Sequence, residues 1–136
     1  MHAIGSVALA VFLIVTGVAH FLAPAYFRTL VPAWLPRARL LVAVSGAAEI
    51  VVGALVLVPC GRQSGGWAAT VLITSYLVSH VDALRRAHPD RPRLLERPVG
   101  AVARLVTNVL YIAWAVAVAK PPVLTVTITV TEEVMP

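Results

Sequence analysis

Residues 40 to 58 read Leu-Leu-Val-Ala-Val-Ser-Gly-Ala-Ala-Glu-Ile-Val-Val-Gly-Ala-Leu-Val-Leu-Val. A helix rises about 1.5 Å per residue, and a bilayer's hydrocarbon core is about 30 Å thick, so this run is long enough to cross one. A single ionisable residue, Glu49, interrupts it. A carboxylate near mid-depth costs about 2.5–3.5 kcal/mol or more when charged and unpaired. It therefore needs a partner, a polar cavity or a task.

The rest of the chain reads the same way. Of its 136 residues, 60% are hydrophobic and only 12% charged, against roughly 25% charged in a soluble domain. Three more apolar stretches match the run at 40–58, at about 3–22, 67–84 and 101–119. Single spanning segments must satisfy their own backbone groups, which makes each of them a helix. The first stretch could also be read as a signal peptide, but it lacks a basic leader, and Ala23-Pro24-Ala25 is a poor cleavage site. The expected fold is all-α, an integral membrane four-helix bundle over residues 1–120. A tail at 121–136 lies outside the membrane. Within it, Val123 to Val130 alternates apolar residues with Thr and reads as a β-strand, open to pairing with a membrane or extracytoplasmic protein partner or a second copy, or to staying loosely ordered.

The connections differ in character. Residues 23–39 hold three prolines together with Tyr26, Phe27 and Trp34, which suits an interfacial segment after the first helix. Residues 59–66 make a short turn, so the second and third helices are antiparallel neighbours. Residues 85–100 are Arg-rich and read as a solvated loop. Nine Lys and Arg residues fall on the side of the first and third connections, against two, Arg62 and Lys120, on the other. The positive-inside bias then places both termini outside a multi-pass protein of the cell membrane. It also accounts for the net charge of +5. Nucleic acid is not an expected partner, because no aromatic platform lies among the basic residues.

Helical register sorts the polar residues by depth. Glu49 lies about 14 Å from the start of its helix, at about the depth of Tyr111. His20, His80, Asp82, Arg104 and Asn108 form a shallower layer on the Arg-rich side. Arg104, Asn108 and Tyr111 share one helix face through i, i+4, i+7 spacing. Ser45, Gly46 and Gly53 flank Glu49 on its own face, and small residues let another helix approach closely. The expected ligand-binding set is Glu49, His20, His80, Asn108 and Tyr111, with Asp82 and Arg104 as a structural ion pair. No metal is expected, because the spacing carries no ligand signature. The single cysteine, Cys60, excludes an intramolecular disulfide and a CxxC redox motif.

The pattern Gly17-Val18-Ala19-His20-Phe21, Pro24, Phe27, Val31-Pro32 and Leu35-Pro36, followed by Ser45-Gly46-Ala47-Ala48-Glu49-Ile50-Val51-Val52-Gly53, resembles the DoxX family of small four-helix membrane proteins. That family is named for a subunit of a terminal quinol oxidase. The resemblance covers residues 10–58 and implies a four-helix bundle with His20 and Glu49 as its polar positions. Relatives that work with thiol redox partners are expected to carry cysteine pairs, which this chain lacks. The favoured function is an accessory or ligand-binding subunit of a membrane redox system. Its polar cavity around Glu49 would take a quinone or lipid, or pass protons. The alternatives are an intramembrane acid/base enzyme of lipid or isoprenoid metabolism, and a purely structural subunit of a membrane complex.

Overall fold

The computed structural model describes residues 2–120, apart from the side chain of His2. The candidate strand at 123–130 lies outside the described residues. Those described form six α-helices and two short 3₁₀ turns, with no strand among them. The α-helices are α1 (His2–Leu22), α2 (Pro24–Leu30), α3 (Ala38–Leu57), α4 (Arg62–Ser75), α5 (Leu77–Arg85) and α6 (Pro98–Ala119). The 3₁₀ turns are Pro59–Gly61 and Leu94–Glu96. Four helical stretches are long and apolar enough to cross a membrane: Ala3–Leu22, Ala38–Leu57, Pro59–Arg85 and Pro98–Ala119.

Local chemistry sets the ends of these elements. Pro24 opens α2, where its missing N–H costs nothing and its fixed φ suits a first turn. The helix stops at Val31, held extended at φ −73°, ψ 129°, as expected of a residue that precedes a proline. Arg37 then turns the chain into α3 from a left-handed conformation, φ 58°, in which non-glycine residues are uncommon.

The third long apolar stretch is not one smooth helix. At Tyr76 the backbone N–H bonds to Ile73 O at 3.1 Å, three residues back, which tightens the turn and separates α4 from α5. Two hydroxyls just before Tyr76 bond to the helix backbone. The Thr74 hydroxyl donates to Thr70 O at 2.6 Å, and the Ser75 hydroxyl donates to Leu72 O at 2.6 Å. Such back-bonding competes with the helix ladder and bends it.

The helices pack in two pairs, α1 along α3 and α4 along α6, joined through α3 with α4 and α1 with α6. Buried residues of α3 follow one stripe: Val42, Gly46, Glu49, Gly53 and Val56. Gly17 and Gly46 face each other across the α1–α3 seam. A Cβ on Gly17 would come within 2.6 Å of Gly46 O, and one on Gly46 within 2.9 Å of Gly17 O. Only glycine permits this approach, and it brings the His20 turn of α1 beside Glu49. Leu9, Leu13, Val56, Ala69, Ile73 and Ala115 fill the core. Ile4, Val15, Val51, Val71 and Leu110 are exposed on the outside, an apolar coat suited to lipid.

Candidate functional site

Glu49 is 2% exposed on the buried stripe of α3. Two groups approach its carboxylate. The Tyr76 hydroxyl donates to Oε1 at 2.9 Å. His20 Nδ1 lies 3.2 Å from Oε2 and 2.9 Å from Thr16 O, one turn back on α1. A carbonyl only accepts, so Nδ1 carries a hydrogen and Thr16 takes it. The approach to Oε2 is then electrostatic, and Oε2 is left with no hydrogen-bond partner among the described residues. The His20 ring stacks on Phe27 of α2, with centroids 3.7 Å apart at 24°. The short helix after α1 thereby fixes the imidazole from its other face.

Glu49 lines a cavity of about 240 Å³. His20, Tyr76, His80, Arg104, Asn108 and Tyr111 also line it, with apolar walls from Phe12, Leu13, Val42 and Ile73. Two further buried polar atoms on this lining have no partner among the described residues, His80 Nδ1 and Asn108 Oδ1. Buried polar atoms in folded proteins are almost always paired. Three unpaired ones on a single cavity identify it as the place where hydrogen bonds remain to be made. A fourth such atom, Arg62 Nε, does not line this cavity.

All five residues of the expected ligand-binding set line the cavity, but two expected pairings differ. Tyr111 does not bond Glu49. Its ring packs on Phe12 at a centroid distance of 4.5 Å, and Tyr76 is the phenol that reaches the carboxylate. Depth along a helix had suggested Tyr111, but depth says nothing about the direction in which a side chain points. Likewise, His20 does not belong to a separate shallow layer, because the Gly17–Gly46 contact brings it against Glu49. The expected Asp82–Arg104 pair is also absent. Asp82 pairs with Arg86, four residues on along α5, and accepts from Trp34 Nε1 at 3.3 Å. The i, i+4 partner on its own helix is within reach without any interhelical contact.

Sequence reasoning missed Tyr76. One signal was present: Tyr76 and His80 are four residues apart, on one face of the third apolar stretch. No group of three or more His, Cys, Asp or Glu side chains that could hold a metal ion occurs among the described residues.

A family model described as a domain of unknown function, DUF8561, matches residues 9–119. The chain belongs to the DUF8561 family. Neither curated proteins nor solved structures gave a match. The matched segment of this DUF8561 protein takes in every cavity residue named above, from Phe12 to Tyr111.

Proposed function

We propose that this chain is an integral membrane four-helix bundle of the cell membrane. In this reading it binds a small single-ring amphipathic ligand of the quinone/quinol class, as an accessory or ligand-binding subunit of a membrane redox system. One observation carries the proposal: Glu49 Oε2, His80 Nδ1 and Asn108 Oδ1 are buried without a hydrogen-bond partner among the described residues, and all three residues line one cavity with largely apolar walls. Its volume of about 240 Å³ exceeds the ~150 Å³ that accommodates a benzene ring in a protein core. With Tyr76 engaging Oε1, Oε2 faces the ligand as an acceptor, and Asn108 Oδ1 accepts as well. A quinol hydroxyl supplies the matching donor, with the ring against Phe12, Leu13 and Ile73. The resemblance of residues 10–58 to DoxX proteins, which implies His20 and Glu49 as polar positions, supports the same assignment.

Binding of a short-chain benzoquinol to the protein purified in neutral detergent tests this reading. Wild type is expected to bind one equivalent. Glu49→Gln is expected to bind about ten- to a hundredfold more weakly, the equivalent of one hydrogen bond to a charged acceptor. Equal binding by both proteins, or none by wild type, would overturn the proposal.

The contiguous array Tyr76–Glu49–His20 favours a second reading, an intramembrane acid/base enzyme acting on a lipid or isoprenoid. A carboxylate held between a phenol and an imidazole can exchange a proton with a bound molecule. This reading requires Glu49→Gln to retain the bound molecule while losing its conversion, as followed by mass spectrometry of extracted lipids.

A further inference from the structure

Arg104 is the only charged side chain of α6, about two turns inside its N-terminus, and it is only partly exposed. None of the carboxylates among the described residues pairs with it. Glu49 is held by Tyr76 and His20, and Asp82 by Arg86. Asp90 sits 3.3 Å from His88, and Glu96 sits 3.8 Å from Arg93. A partly buried guanidinium without a counterion is costly in an apolar setting.

The space around Arg104 suggests what balances it. Arg104 lines the Glu49 cavity and also a second one, shared among Tyr26, Thr29, Leu30, Arg93, Glu96 and itself. Leu30 and Arg104 are common to both linings, so Arg104 stands where the two spaces meet. The second space has a second arginine, Arg93, and Tyr26 on the same lining. The Thr29 hydroxyl is already committed to Tyr26 O at 2.7 Å. Glu96 is the one acidic group on this rim, and its 3.8 Å separation from Arg93 is too long for a hydrogen bond.

We propose that Arg104, with Arg93 and the Tyr26 hydroxyl, forms a phosphate-binding site at the mouth of the Glu49 cavity. The planar guanidinium fork engages two phosphate oxygens at once. Two arginines and a phenol offer more donors than one carboxylate would use. The phosphate can come from a bilayer lipid, whose headgroups lie at the Arg-rich ends of apolar helices, or from solution. The site stands on Arg104 and its rim, whichever molecule occupies the space beside Glu49.

Native mass spectrometry and thermal unfolding of the detergent-purified protein distinguish the outcomes. The probes are phosphatidylglycerol, diacylglycerol as its phosphate-free counterpart, and inorganic phosphate. Phosphatidylglycerol is expected to stay bound to wild type and to raise its unfolding temperature, while diacylglycerol does neither. Arg104→Gln is expected to weaken phosphatidylglycerol about tenfold or more, and Arg104→Lys, which keeps the charge but not the fork, less. Stabilisation by inorganic phosphate that is lost in Arg104→Gln would support the same site with a soluble source. Equal retention of phosphatidylglycerol by wild type and Arg104→Gln overturns the proposal, and so does equal retention of the two lipids by wild type. If Arg104→Gln does not fold, Arg104→Lys and Arg93→Gln carry the comparison, and unchanged phosphatidylglycerol binding in both overturns it. Benzoquinol binding is read out on the same variants, so failure of the phosphate site is separable from failure of the cavity assignment.

Discussion

Tyr76 holds one oxygen of Glu49, while Tyr111, at a similar depth, holds neither. The two phenols should therefore respond differently to loss of the hydroxyl. Tyr76→Phe leaves Oε1 of a 2% exposed carboxylate without its donor. Interhelical hydrogen bonds in membranes average only about 0.6 kcal/mol, but an orphaned buried acceptor adds its desolvation penalty, about 1–3 kcal/mol in soluble proteins. Tyr76→Phe is expected to destabilise by about 1–2 kcal/mol, measured by reversible unfolding in mixed micelles. Tyr111→Phe removes a hydroxyl with no hydrogen bond among the described residues and keeps the ring on Phe12, so a change under about 0.5 kcal/mol is expected. The opposite order would mean that Tyr111 supports the carboxylate. The importance of Glu49 could be read from the sequence because a lone acid in an apolar run is conspicuous. Its phenol partner could not. Helical register supplies height along an axis, whereas contact also depends on direction around it, and Tyr76 lies at the tightened turn between α4 and α5.

At the scale of the helices, the glycines separate into those that a partner's backbone requires and those that it does not. A Cβ on Gly46 would press on Gly17 O and the His20 Cβ, whereas one on Gly5 would meet only Trp114 Nε1 at 3.8 Å. Gly46→Ala is expected to cost about 1–3 kcal/mol through overpacking and to weaken ligand binding, because His20 is carried by the displaced helix. Gly5→Ala is expected to be neutral or to stabilise by up to about 1 kcal/mol through helix propensity. The same unfolding measurement checks both, and equal costs would refute the α1–α3 seam as the element that positions His20. The four long apolar helices and the small-residue face of α3 were legible because hydropathy and spacing are local properties. The helical form of Pro24–Leu30 was not. The prolines and aromatic residues of 23–39 read as an interfacial segment, and only the packing of Phe27 on His20 shows what that segment does for the site.

At the scale of the whole molecule, the open question is which way the cavity faces, and the charge distribution predicts the answer. Nine of the eleven Lys and Arg residues lie on the side of the α2 segment and the α5–α6 connection. By the positive-inside bias, that side, with the Arg104 mouth, is expected to face the cytoplasm. The chain supplies its own reporter on the opposite side. Cys60 is its single cysteine, and it is exposed in the turn between α3 and α4. A membrane-impermeant maleimide is expected to label Cys60 in intact cells. In a Cys60→Ser background, Asp90→Cys places the thiol at an exposed position of the Arg-rich connection. That variant is expected to label only after the membrane is permeabilised. The reverse pattern would invert the topology and open the cavity to the outside, so that a ligand would have to arrive from that face. Labelling of both positions in intact cells would show that at least one of the four apolar helices does not cross the bilayer.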